Sequence, residues 1–121
     1  AYNANPTSVA ASIDVATASG GRCVLILGDM FELGKEELKY HREIGEYAVH
    51  RKADCILCVG ALSTAMYEAA KAAGGNATHF ANKDALLQAL PSMLQKGDTV
   101  LVKASNGMKL QDVAQFIEEK L

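Results

Sequence analysis

Arg22-Cys23-Val24-Leu25-Ile26-Leu27-Gly28 is a short apolar run in which polar and apolar residues do not alternate. An unbroken run of this length predicts a strand covered on both faces, as in a parallel sheet held between helices. Cys55-Ile56-Leu57-Cys58-Val59-Gly60 and Thr99-Val100-Leu101-Val102-Lys103 repeat the pattern, and Ala77-Thr78-His79-Phe80-Ala81 is a weaker fourth run. Between the runs the periodicity turns helical. Asn5 is an N-cap and Pro6 fits the first helical position, with Val9, Ile13 and Ala16 on one stripe until Gly20-Gly21. A second helix is predicted from Lys35 to Arg51, with Tyr40, Ile44, Tyr47 and Ala48 facing inward. A third is predicted from Leu62 to Ala73, burying Leu62, Met66, Ala69 and Ala73 before Gly74-Gly75. The fourth starts after Asn82 and buries Leu86, Leu87, Leu90 and Leu94, with a kink or restart at Pro91, which lacks the backbone donor. In the last, Leu110, Val113, Ala114, Ile117 and Leu121 form one face.

Strands alternating with helices imply right-handed crossovers and a doubly wound sheet. The predicted fold class is therefore α/β: a three-layer, Rossmann-like, mostly parallel sheet flanked by helices, in a single domain over residues 1–121. The chain opens with a loop and a helix where this architecture usually opens with a strand. With no initiating methionine before Ala1-Tyr2-Asn3, it is expected to be a piece of a longer protein whose first strand lies upstream.

Composition narrows the function classes. The chain has 121 residues, 50% of them hydrophobic and 21% charged, enough for a real core. Twelve Lys and Arg against fourteen Asp and Glu, with a net charge of -2, leave no basic excess for nucleic-acid binding. No apolar run reaches the roughly 20 residues of a membrane span, so no membrane insertion is expected. Three cysteines make no disulfide framework, which points to a reducing cytoplasm. Cys55 and Cys58 form a C-x-x-C, but residues three apart on a strand face opposite ways, so the pair is read as core packing rather than a metal site.

Ligands of open parallel sheets bind beyond the carboxyl ends of the strands. Those ends are Gly28-Asp29-Met30-Phe31-Glu32-Leu33-Gly34, Gly60-Ala61-Leu62-Ser63 and Lys103-Ala104-Ser105-Asn106-Gly107-Met108, with Tyr2-Asn3-Ala4-Asn5-Pro6 on the same edge if a strand precedes it. Gly28 and Gly34-Lys35 imitate a P-loop, yet the glycines are one residue too far apart and Glu36 replaces the magnesium-holding hydroxyl. Asp29 and Glu32 read either as paired acids or as a loop cap beside a solvated carboxylate. His41 lies on a helix edge, as a partly buried hydrogen-bonded histidine or as a residue turned to the rim; His50 is solvated and His79 has no visible partner. Lys103, directly after a buried strand, is a point charge suited to a carboxylate or phosphate, with Ser105 and the Asn106-Gly107 turn adding a hydroxyl and amides. No catalytic base and no metal ligand set emerge.

Taken in order, Tyr2-Asn3-Ala4-Asn5-Pro6, Leu27-Gly28-Asp29-Met30-Phe31-Glu32-Leu33-Gly34, His41 with Ile44-Gly45, and Val102-Lys103-Ala104-Ser105-Asn106-Gly107-Met108 resemble the C-terminal domain of a Mur ligase, of the kind that joins D-Ala-D-Ala to UDP-N-acetylmuramoyl-tripeptide. The resemblance covers essentially the whole chain. It implies an ATP-dependent amide ligase of peptidoglycan synthesis in which an acyl phosphate of the tripeptide is attacked by the dipeptide amine. ATP and Mg2+ would be held mainly by a central domain, and this domain, with the N-terminal and central domains as its partners, would close over the nucleotide. It places Tyr2, Asn3 and Asn5 beside the nucleotide, Asp29, Met30 and Glu32 along the rim with His41 nearby, and Lys103 and Ser105 toward the dipeptide carboxylate or the transferring phosphate. By itself the fragment would be inactive. The last motif departs from the family's Lys-Gly-Ser-Arg: Ala104 stands for the glycine, and Asn106 for an arginine that would clamp an anion with two bonds. The alternative reading is a stand-alone flavodoxin-like phospho-receiver or small-ligand module, which also ends a late strand in lysine. That class needs an acidic pair on neighbouring strand ends, and Gly60-Ala61-Leu62 carries no carboxylate.

Overall fold

A computed structural model describes residues 4–120; Tyr2, Asn3 and Leu121 lie outside the described residues. The elements run α1 (Pro6–Ala18), β1 (Cys23–Gly28), α2 (Glu37–His50), β2 (Cys55–Val59), α3 (Ser63–Ala72), β3 (Ala77–Phe80), α4 (Lys83–Met93), β4 (Thr99–Lys103) and α5 (Gln111–Lys120). The four strands of the described residues pair in parallel in the order β3-β2-β1-β4. One face of the sheet is covered by α1, α2 and α3, through Ile13, Ile44, Ala48 and Met66 over Leu25, Leu27, Ile56 and Cys58. The other is covered by α4 and α5, through Leu86, Leu90, Leu110 and Val113 over Val24, Ile26, Leu57 and Val59. Three layers result, as the alternating pattern predicts.

β1 and β2 are buried at every position, as unbroken apolar runs require. Cys55 and Cys58 fall on opposite faces of β2, and burial pushes the Cys58 thiol up to about 12. β4 differs: all five of its residues are only half-buried, because in the described sheet it pairs with β1 alone and stands at an edge. The same edge explains α5, where Ala114 is exposed and Ile117 half-buried despite their place on the apolar face.

Both asparagine caps are present. Asn5 Oδ1 accepts the Ser8 amide at 3.0 Å in a reciprocal capping box, and Asn82 Oδ1 accepts the Ala85 amide at 2.9 Å. Other helix details depart from expectation. The stretch before α2 is a separate 3-10 turn, Gly34–Glu36, and the buried stripe of α2 is His41, Ile44, Gly45 and Ala48, leaving Tyr40 and Tyr47 half-buried. Gly45 causes this rotation: a methyl there would stand 2.3 Å from the Met66 carbonyl oxygen, so α2 and α3 meet backbone to backbone. In α3, Ala65 and Ala70 take the inward places, while Ala73 is exposed beyond the helix end and Leu62 half-buried before its start. Pro91 neither stops nor restarts α4, which continues to Met93; the proline sits in the last turn on an exposed position, and the Leu87 carbonyl goes without the helix bond that an amide there would donate.

Candidate functional site

β1, β2 and β3 step toward one edge of the sheet with α2 and α3 on one face; the chain then crosses back on the other face through α4 to β4. The reversal of direction falls between β1 and β4. Outside the carboxyl ends of those two strands is the place where doubly wound sheets take their ligands. Leu27 and Lys103 are register partners at those ends. The loops that follow them, 28–34 and 104–110, are tied to each other.

The first loop is fixed by side chains from three other elements. Asp29 is 5% exposed, and its Oδ1 accepts both the Ser63 amide (2.8 Å) and the Ser63 hydroxyl (2.7 Å), an anion at the start of α3. Gly60 makes room for it: at φ 110° the chain turns where few side chains can follow, and a methyl would lie 2.6 Å from the Asp29 carboxylate. The Met30 amide donates to Nε2 of His41 at 3.0 Å, and the Phe31 amide donates to Oγ of Ser105 at 2.8 Å. Ser105 returns its own amide to the Asp29 carbonyl at 3.0 Å, so one buried serine stitches the two loops together. The ring of Phe31 lies against Gly107, where a methyl would stand 3.0 Å from it. On the far side, Lys83 holds the second loop through the Lys109 carbonyl (3.3 Å) and Asp112 (2.9 Å).

These contacts sort the sequence-predicted residues. Asp29 is a buried cap on α3 rather than one of two paired acids, while Glu32 is exposed with a left-handed φ of 64°. Met30 is only 1% exposed and belongs to the core, its amide bound by His41 beneath the rim. Ser105 is likewise buried, its hydroxyl occupied as an acceptor. His41 is fully buried and turned inward onto the rim loop from beneath. Asn5 stands exposed at the start of α1 with its side-chain oxygen used as a cap. Lys103 is half-buried and makes no hydrogen bond or ion pair among the described residues. It borders a hollow of about 290 Å3 shared with Ala4, Ser105, Gln111 and Ala114. Ala104 needs no glycine conformation, since its φ is not positive; its methyl packs beside Gly28.

Two residues escaped sequence reasoning. Ser63 receives Asp29 from 34 positions away, and its place at the first position of a helix after a rim glycine was the available signal. His79 Nε2 lies 2.7 Å from the Gly60 carbonyl and 3.2 Å from the Thr64 hydroxyl, steadying the β2–α3 turn; nothing in its own strand pattern marks this.

The loop amides that might cradle a phosphate are committed inside the protein, at Met30 to His41 and at Phe31 to Ser105. Glu36, at the position of a P-loop hydroxyl, pairs with Lys39 at 3.2 Å. No cluster of three or more metal-ligating side chains occurs among the described residues. The donor set therefore does not fit a triphosphate with its magnesium. Nor is Asp29, buried against Ser63, placed to accept a phosphoryl group as a receiver domain requires. Among the described residues no helix is long and apolar enough to cross a membrane. A larger hollow of about 520 Å3 near Gln95–Asp98 lies at the amino ends of the strands, with the Asp98 carboxylate already bound by Arg22.

Fold and rim together define a doubly wound, three-layer α/β domain. The family described as Mur ligase, glutamate ligase domain, matches residues 1–106, and the chain belongs to it. It is 37% identical, over 98% of its length, to the UDP-N-acetylmuramoyl-tripeptide--D-alanyl-D-alanine ligase of Bacillus subtilis, and equally so to that of Escherichia coli. Its fold superposes on a MurF crystal structure from Acinetobacter baumannii with a TM-score of 0.89 at 28% identity, over 98% of this chain. The chain spans 27%, 26% and 27% of the length of those three proteins.

Proposed function

We propose that this chain is the dipeptide-facing domain of an ATP-driven amide ligase, working in the cytoplasm on UDP-N-acetylmuramoyl-tripeptide and D-Ala-D-Ala in peptidoglycan synthesis. Family membership and the names of its relatives support the reaction class. The observation that carries the role is Lys103: a half-buried ammonium without a counter-ion among the described residues, at the mouth of a hollow beyond the carboxyl end of a strand. A hydrogen bond from such a cation to a carboxylate contributes about 1.5–3 kcal/mol, enough to hold the acid end of a dipeptide.

Because the Met30 and Phe31 amides and the Asp29 carboxylate are already engaged, ATP and Mg2+ are assigned to the central domain, and Tyr2, Asn3 and Asn5 to an edge touching the nucleotide. Glu32, exposed at the rim, would stand at the dipeptide's entrance. Asp29, Met30 and Ser105 act from behind, by fixing the two loops. The domain's part in catalysis is orientation of the amine and exclusion of water when it closes on its own N-terminal and central domains. The test assays amide formation from tripeptide nucleotide, D-Ala-D-Ala and ATP, by the ligase containing this chain and by the 121 residues alone. The whole ligase should form the amide, and the 121 residues should neither hydrolyse ATP nor ligate. Ligation by the domain alone, or none by the whole protein, would overturn the proposal.

A further inference from the structure

We propose that His41 is a positioning residue of the rim: from beneath, it sets the conformation of residues 29–33 through the Met30 amide. The imidazole is fully buried, so both ring nitrogens need partners. Nδ1 lies 2.6 Å from the Glu37 carbonyl oxygen, which can only accept, so Nδ1 carries the hydrogen. Nε2 lies 3.0 Å from the Met30 amide, which can only donate, so Nε2 offers its lone pair. Both contacts require the same neutral tautomer, and the ring thereby reads the position of its own helix and of the loop eleven residues earlier.

The consequence is carried along the loop. Met30 is gripped at its amide by His41 and at its side chain by the core; Phe31 follows, gripped by Ser105 and seated on Gly107. Glu32 comes next, in the left-handed region that a glutamate occupies only when its surroundings impose it. Without an acceptor at position 41, the Met30 amide would be buried and unsatisfied, and the loop would relax toward water. Asp29, bound to Ser63 on a different element, would stay in place. His41 therefore acts on the part of the loop that faces the ligand and leaves the helix cap intact.

The proposal borrows from the functional reading only that the rim faces substrate, and its main test avoids even that. In the 121-residue chain, NMR of the imidazole nitrogens should show hydrogen on Nδ1 and none on Nε2 at neutral pH; the opposite tautomer would overturn the assignment. Amide exchange is then compared in His41→Leu, which fills the space without an acceptor, and His41→Gln, whose oxygen can still take the Met30 amide. Exchange at Met30 and Phe31 should rise about tenfold or more in the leucine variant and stay within about threefold of wild type in the glutamine variant, with Ile26 and Leu57 unchanged in both. Unchanged exchange at Met30, or a rise shared equally by Ile26 and Leu57, would overturn it. In the intact ligase, His41→Leu should lower kcat about tenfold with the dipeptide KM within about threefold, and His41→Gln should restore kcat. An inactive wild-type ligase would count against the functional reading alone, since the exchange result stands without it.

Discussion

Replacing Asp29 by alanine and by asparagine separates a structural carboxylate from a ligand-binding one. Asp29 Oδ1 accepts two hydrogen bonds from Ser63, 2.8 Å from the amide and 2.7 Å from the hydroxyl, and both residues are buried. In Asp29→Ala the amide and the buried hydroxyl of Ser63 both lose this acceptor, a loss of about 1–3 kcal/mol. The negative charge at the start of α3 contributes about another 0.3–1 kcal/mol, so the expected destabilisation is about 1.3–4 kcal/mol. Asparagine keeps an oxygen for the amide and loses the charge, which should cost about 1 kcal/mol. At about 3–5 °C per kcal/mol for a chain of this size, the alanine variant should melt roughly 4–20 °C below wild type. Urea unfolding followed by circular dichroism gives the free energies, and a double-mutant cycle with Ser63→Ala, which removes the hydroxyl and keeps the amide, should return a coupling of about 1 kcal/mol. Alanine within about 0.5 kcal/mol of wild type, or asparagine as damaging as alanine, would refute the reasoning and return Asp29 to the pool of free rim carboxylates.

The opposite end of the sheet supplies a pH prediction. Burial pushes the Asp98 carboxyl up, but hydrogen bonds from Arg22 and the Gln95 amide outweigh it and leave the pKa below the usual carboxylate value. A carboxyl whose folded pKa is depressed stabilises fully above its unfolded pKa, about 3.9, and loses that contribution as pH falls through the folded value. Asp98→Asn should therefore lower stability at pH 7 and flatten its fall below about pH 4; an unchanged acid limb would contradict the pairing. Gly45→Ala gains about 1 kcal/mol of helix propensity but puts a methyl 2.3 Å from the Met66 carbonyl, and forced repacking of this kind costs about 1–3 kcal/mol or more. Net destabilisation in thermal unfolding is expected, and a stabilised variant would show that α2 and α3 do not meet as described.

How much of this was legible in the sequence depends on the range over which each feature is set. β1 and β2 were readable because an unbroken apolar run needs no knowledge of its partners, and Asn5 and Asn82 because a cap acts over three residues. The half-exposure of β4 was not readable, since its central Val100-Leu101-Val102 is as apolar as the middle of β1 and only strand order makes it an edge. The stripe of α2 was misjudged for a related reason: Tyr40 and Tyr47 outrank Gly45 in hydrophobicity, yet closeness of approach to α3 decides which face turns in. At the rim, the right loops could be named from topology, but not the duties within them. Phe31 and Ser105 are 74 positions apart, Asp29 and Ser63 are 34, and periodicity carries no information about polar partners at such separations. So the burial of Ser105 and Met30, and the bonds that tie them to the neighbouring loop and helix, could not be read from the sequence.

Lys103 is where the account is most exposed. In the ligase containing this chain, steady-state kinetics of Lys103→Ala against D-Ala-D-Ala should show the dipeptide KM raised, or kcat lowered, by roughly tenfold or more, as loss of a charge-assisted bond to a carboxylate requires. The KM for ATP should stay near wild type. Unchanged dipeptide kinetics would mean that the ammonium at the end of β4 merely faces water, and that the hollow beside it is not where this domain meets its substrate.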